Sequence, residues 1–347
     1  MENRGQAFIQ TGRKFFPAIA FSGGFLWDSL TMGRVVSTLD LWVLVAYYIG
    51  AGLSLAIMAG GYRQEWNRRL TLLLQFFFGG LFSALVIFYF KSSRSLGAFI
   101  VVGILVILLI ANEFLKDKYD NRVVSWALFC LSGTMYLNFL IPHIASSVNY
   151  LWFYIGSSVS FIIVLMIWRL SSTPPRTLAS PIAVTISSLF LYGFQVIPPV
   201  PLVLKQDFAC KDFSREKKQY SCKVEEQGFF ANTGLTSNKI HFTKGEKIYY
   251  LSSIFAPSKV KVDLEHRWWM WDEVEGEWAL KFKLSLPMTG GRENGWRTYS
   301  YVQNAAKKGL WKVETALKDG AVLGYRSFKL ESAMKDASYK MNSVQLN

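Results

Sequence analysis

Three groups of residues in this 347-residue chain have types and spacings that could do chemistry. The first is aromatic. Trp269 and Trp271 alternate with Met270 in HRWWMW, and Arg297 and Tyr299 alternate with Thr298 in GWRTYS. Ring faces stack on a sugar or pack on a partner, and a guanidinium and a phenol beside them add directional hydrogen bonds. A bulge in HRWWMW would instead fold the tryptophans inward. The second group, Asp28, Asn138 and His143, lies in apolar stretches and leans towards one end of them. Intramembrane polar residues of this kind form a pocket or an ion path, or else lock helices together and snorkel to the interface.

The third group is Cys210 and Cys222, flanking KDFSREKKQYS. A close pair in an exported domain reads as a disulfide. The alternative is two unrelated surface thiols. Only three histidines exist, His143, His241 and His266, and none has ligand spacing to the cysteines, so neither a metal nor another cofactor is expected. Ser300 and His266 could enter a hydrolase site, but there is no nucleophile elbow and no spacing that supplies an orienting carboxylate. No catalytic residue is assigned, and His266 reads as a core histidine.

These residues need a frame, and period-two alternation supplies it from about Gly245 onward. Val260, Val262, Leu264, His266 and Trp268 share one face of a predicted strand, with Lys261, Asp263, Glu265 and Arg267 opposite. Trp278, Leu280, Phe282, Leu284 and Leu286 form a second apolar face, which puts Trp268 and Trp278 in the core. Glu275-Gly276 is the turn between these strands. Trp296–Val302 and Leu310–Leu317 follow, and Asp319-Gly320 turns the chain into Val322–Leu330, since Asp-Gly suits positive φ. Six or seven antiparallel strands predict a small all-β sandwich or open barrel.

The chain ahead of this region has another character. Seven apolar stretches, roughly 15–32, 39–59, 70–90, 96–115, 123–146, 150–170 and 181–204, are long enough to cross a bilayer as helices. The fold expected is therefore an α-helical multi-span membrane domain of about seven transmembrane helices, followed by the C-terminal β-domain. Its boundaries are 1–204 for the helices, 205–245 for a disulfide-bearing connector with the first strands, 246–335 for the β-domain, and 336–347 for a flexible tail.

Charge orients it. With the N-terminus in the cytoplasm, the inside connectors hold eleven Lys and Arg, from Arg4 to Arg176, while the outside ones hold only Arg34, Lys91 and Arg94. Positive connectors stay inside, so an odd number of spans exports the C-terminal domain. That placement agrees with the cysteine reading. The net charge of +14 is distributed through both halves without a long Lys/Arg run, which argues against nucleic acid as a partner.

Several of these residues resemble a small bacterial family known as domain of unknown function 2914. The likeness lies in His266 with its tryptophans, in Gly291 through GWRTYS, in Gly309-x-Trp311, and in DGAVLGYRSF from Asp319 to Phe328. The stretch FFPAIAFSGGFLWDSLTMGR resembles the membrane region ahead of that domain in some members. The resemblance implies an architecture and no reaction.

Together these readings describe a protein of the bacterial inner membrane, with its C-terminal domain periplasmic or extracellular. Its partners are the lipid bilayer and an envelope glycan, lipid or protein, bound through Trp269, Trp271, Arg297 and Tyr299. The alternative from another class is a small-solute transporter or channel using Asp28, Asn138 and His143, with the β-domain as a lid. An extracytoplasmic hydrolase is the third.

Overall fold

A computed structural model describes residues 38–60, 64–92, 96–114, 119, 121–198, 200–216, 219–226, 238–256, 260–290, 295–303, 307–334 and 339–346. The chain divides into a helical unit and a β unit, with the main break between Ile197 and Pro198.

The helices are α1 (Thr38–Ala59), α2 (Gln64–Ser92), α3 (Leu96–Phe114), α4 (Arg122–Ala145), α5 (Leu151–Arg169) and α6 (Ala179–Gly193), with a short 3₁₀ turn at Pro175–Leu178. Four segments are long and apolar enough to span a bilayer: Thr38–Ala59, Arg69–Ser92, Arg122–Ala145 and Leu151–Arg169. The shortest has 19 residues, which at 1.5 Å per residue approaches the ~30 Å hydrocarbon thickness. The apolar part of α3 is shorter, Ala98–Asn112.

The seven expected spans are thus only partly recovered. The stretch 15–32, with Asp28, lies outside the described residues. The stretch 181–204 does not form one long helix, because α6 has 15 residues and ends at Gly193. Proline lacks the N–H that a helix needs and its ring clashes with the preceding turn, so Pro198 and Pro201 suit the non-helical run that follows, and Val203 already belongs to a strand.

Small residues let the helices approach closely, as expected where lipid supplies no hydrophobic force between them. Gly133 on α4 faces the Tyr48 and Ser160 side chains. Tyr48 stacks on Phe129 at 4.6 Å, and Phe153 on Tyr192 at 4.0 Å. Several polar side chains in these helices are tied across the bundle, as Tyr136 is to the Leu41 carbonyl and Ser160 to the Cys130 carbonyl. Asn112 is buried: its amide donates to the Gln75 backbone oxygen at 3.1 Å, its own backbone oxygen accepts from the Gln75 side-chain amide at 3.3 Å, and its Oδ1 accepts from Tyr119.

The β unit has ten strands among the described residues. They are β1 (Val203–Glu216), β2 (Gln219–Glu225), β3 (Asn238–Phe242), β4 (Ile248–Phe255), β5 (Lys261–Asp272), β6 (Glu277–Thr289), β7 (Trp296–Val302), β8 (Gly309–Leu317), β9 (Val322–Ser332) and β10 (Met341–Leu346). They form two five-stranded sheets, ordered β10-β2-β1-β4-β7 and β3-β9-β8-β5-β6. All neighbours are antiparallel except β3 and β9, which are parallel. The stretch expected to be a tail contains β10, which pairs along β2 from Met341 to Leu346.

Alternation explains the core. Ile248 and Tyr250 from the first sheet face Trp268, Trp311, Val313 and Phe328 from the second, all fully buried. Large rings contribute most of the buried apolar area in such a core. Trp268 stacks on Phe282 at 5.4 Å and meets Trp311 edge-on at 6.3 Å. The turns predicted at Gly276 and Gly320 are present, with φ of +67° and +111°, a region that costs glycine nothing.

Candidate functional site

The aromatic residues are positioned by a break in register between β5 and β6. Trp268 opposes Phe282, but Trp269 opposes Leu280, so Lys281 is an extra residue on β6. Such a bulge reverses the in-out alternation of the strand that carries it. Phe282 points into the core, while Leu280 and Trp278 turn outward and join Trp269 and Trp271. Trp278 is therefore not a core residue as expected. It is half-buried on the outer face, meeting Trp271 edge-on at 5.5 Å. The tryptophans of β5 keep the outward parity predicted for them.

The neighbouring strands complete this face. Lys312 and Glu314 of β8 and Tyr325 of β9 alternate outward, opposite the buried Trp311, Val313 and Thr315. The Lys312 ammonium lies 5.4 Å from the Trp269 ring centre, 4.9 Å from Trp278 and 5.8 Å from Tyr325. Each is within the ~6 Å range of a cation–π contact. Glu314 holds both partners: its Oε1 lies 2.8 Å from the ammonium, and its Oε2 accepts the Trp269 indole N–H at 2.9 Å. Indoles fixed in this way offer a preorganised surface.

Arg297 and Tyr299 are elsewhere. They lie on β7, in the other sheet, and pair with Ser253 and Leu251 of β4. Tyr299 packs on Phe213 at 4.6 Å and on Tyr220 at 6.0 Å, above the buried Cys210 and Cys222. The four residues expected to share a surface are thus divided between the outer faces of two sheets. Trp269 and Trp271 are brought together, as are Arg297 and Tyr299, but the pairs do not converge.

The cysteines form the Cys210–Cys222 disulfide, with Cα atoms 6.0 Å apart, joining β1 to β2. A bulge on β1 between Lys211 and Ser214 contains Asp212 at φ +50°.

His266 and Ser300 meet, but inside the core. His266 is fully buried; its Nε2 lies 2.9 Å from Ser252 Oγ and 3.3 Å from Thr298 Oγ1, and its Nδ1 lies 2.9 Å from Ser300 Oγ. Ser300 also accepts the Trp268 indole N–H at 2.8 Å, and Tyr250 OH lies 2.9 Å from Thr315 Oγ1. Burial pushes the imidazole pKa down to about 3. The ring is neutral, held by hydroxyls and sealed from solvent, which makes this network an inter-sheet tie. A second tie is ionic: Arg326 of β9 donates to both carboxylate oxygens and the backbone oxygen of Asp207 on β1 at 2.9 to 3.2 Å. Nothing in the sequence spacing indicated that pair, because residues 119 positions apart meet only through the sheet order.

In the helical unit, Asn138 is buried and donates to Tyr89 OH at 2.9 Å, and Tyr89 donates to the Met135 carbonyl at 3.2 Å. His143 is half-buried near the end of α4. Among the described residues no group of three or more His, Cys, Asp or Glu could hold a metal ion.

Fold and site define the C-terminal region as a two-sheet β-domain preceded by bilayer-length helices. Residues 261–330, from β5 into β9, match the model of a family described as protein of unknown function (DUF2914). His266, the GWRTYS segment, Trp311 and DGAVLGYRSF fall within the matched residues. No curated protein matches the chain. Among solved structures, an immunoglobulin-like protein from Pseudomonas aeruginosa is 12% identical, with a TM-score of 0.20, over 35% of this chain and 97% of its own. An alkylpurine DNA glycosylase, AlkC of Pseudomonas fluorescens, bound to DNA with an abasic site analog, is 11% identical, with a TM-score of 0.24, over 85% and 98%. Likenesses this weak carry no argument.

Proposed function

We propose that this is a multi-pass protein of the bacterial inner membrane, with about seven spans and a cytoplasmic N-terminus, that carries its β-domain outside the cytoplasm and uses the outer face of the second sheet to bind an envelope glycan. Four bilayer-length helices, the eleven-to-three excess of basic connector residues and the Cys210–Cys222 disulfide support the first part. The observation that carries the second is the outward turn of Trp269, Trp278 and Tyr325 around Lys312, with Trp271 packed on Trp278. A sugar presents an apolar C–H face rimmed by hydroxyls, and ring faces beside a Lys–Glu pair match both features. Arg297 and Tyr299 drop out of the contact, because their sheet faces the other way.

The test is a pull-down with purified peptidoglycan sacculi and with soluble envelope oligosaccharide, using the full chain in nanodiscs. Trp269→Ala with Trp271→Ala should abolish retention while leaving cooperative unfolding of the β-domain in place. Retention equal to wild type, or no glycan held by the wild type, defeats the reading. Small-solute transport gains no support from Asn138, whose amide donates to Tyr89. Hydrolysis gains none from His266 and Ser300, which are enclosed between the sheets.

A further inference from the structure

A separate opening lies at the end of the sandwich where β3 turns into β4. It is a cavity of about 730 Å³ whose lining includes Phe242, Thr243, Gln303 and Ser332 together with Lys244, Lys307 and Lys308. This is a size that holds small-molecule ligands. Its walls are tied by hydrogen bonds among the turns and strand ends that line it. The Gln303 amide donates to Gly245 O at 2.9 Å, Ala333 N–H donates to Phe242 O at 3.0 Å, and the Trp311 indole donates to Lys307 O at 2.8 Å. The backbone that presents Lys244 and Lys307 is therefore fixed by the core of the domain.

The charges around this cavity are gathered on one opening and have no carboxylate partner among the described residues, whereas many other cations of the β-domain do. Lys211, Lys223, Lys239, Lys312, Arg326 and Lys329 each have a carboxylate within 4.0 Å. Lys244, Lys307 and Lys308 make no ion pair among the described residues. The carboxylate on their own turn, Glu246, is engaged by Lys211 at 3.1 Å and by the Thr243 N–H at 2.9 Å. Lys247, on the same turn, lies over the Tyr301 ring at 4.8 Å and adds a further positive charge. Three ammonium groups around one cavity repel one another, and a bound anion reverses that energy. Lysine suits phosphate as a compact point charge with three donors, and the Ser332 hydroxyl and the second amide hydrogen of Gln303 add neutral donors beside it.

We propose that this cavity is a binding site for a phosphate-bearing ligand of headgroup size, distinct from the aromatic face. The ligand is either a soluble phosphate compound or the headgroup of an anionic lipid, and the charge recognition is the same for both.

The experiment uses the full chain in phosphatidylcholine nanodiscs and two probes. Inorganic pyrophosphate is titrated by calorimetry, and capture of phosphatidylglycerol vesicles is compared with capture of phosphatidylcholine vesicles. The variant Lys244→Gln, Lys307→Gln, Lys308→Gln should weaken the bound probe at least about tenfold, with affinity falling as ionic strength rises. Lys281→Gln with Lys318→Gln, exposed lysines outside the cavity, should leave it unchanged. Pyrophosphate binding assigns a soluble ligand; selective capture of phosphatidylglycerol vesicles alone assigns a headgroup. Should the triple variant fold poorly, Lys308→Glu alone must produce the same direction of loss. Binding of neither probe by the wild type, or equal binding by the lysine variants, overturns the site.

Discussion

Acidification should loosen the β-domain through one residue, His266, by an amount that can be worked out in advance. The imidazole is buried between the sheets with only hydroxyl partners, and burial lowers its pKa to about 3. In the unfolded chain the ring titrates near 6.5, so between those values the unfolded state binds the extra proton. Stability is then full above pH 6.5 and lost as pH falls towards 3. The slope is ~1.4 kcal/mol per pH unit, which gives a loss of about 2 kcal/mol between pH 7 and pH 5. The assay is hydrogen exchange of the β5 and β8 amides in the full chain, whose protection reports the opening free energy of the sheet. A loss of that size is about thirtyfold in protection, after correction for intrinsic exchange. His266→Asn should be less stable at every pH but should lack this slope, because the carboxylates that titrate elsewhere are common to both proteins. Parallel losses in wild type and variant between pH 7 and pH 5 would refute a neutral, solvent-free imidazole.

Two other perturbations read the same frame. Arg326→Met leaves the Asp207 carboxylate buried without its bidentate partner and should cost about 3 to 5 kcal/mol in denaturant unfolding, most of which a second change, Asp207→Leu, recovers. Gly295 sits at φ +84°, and a Cβ there would come within 2.6 Å of Ser253 Oγ. Gly295→Ala should therefore cost about 1 to 3 kcal/mol, more than Gly276→Ala, where φ is +67° and the space is open; equal midpoints for the two variants would contradict the β4–β7 contact.

Much of the frame was legible because period two is a strong signal where one face of a strand is buried. Val262, Leu264, His266 and Trp268 alternate inward as read, and the turns at Gly276 and Gly320 fall where predicted. The bulge at Lys281 was not legible: HRWWMW and EWALKF contain no residue that announces it, and it moved Trp278 from the core to the outer face. Sheet order was hidden too. Arg297 and Tyr299 alternate like Trp269 and Trp271, but local spacing does not reveal that β7 pairs with β4 while β5 pairs with β8. The first strands were expected within 205–245, but not the bounds or partners of β1 and β2, because their alternation mixes lysine, serine and aspartate with the apolar positions and their burial comes from Cys210, Cys222 and β10. In the membrane half, apolar composition indicated the helices but not that Asn112 is buried against Gln75, which requires the helix partner.

The proposed export of the β-domain is tested most directly by fusions after Asn347 in living bacteria. A phosphatase that matures only outside the cytoplasm should be active there and a cytoplasm-dependent fluorescent protein dark, with Cys210 and Cys222 protected from thiol reagents until a reductant is added. A bright fluorescent fusion, an inactive phosphatase and freely reactive cysteines would contradict the account.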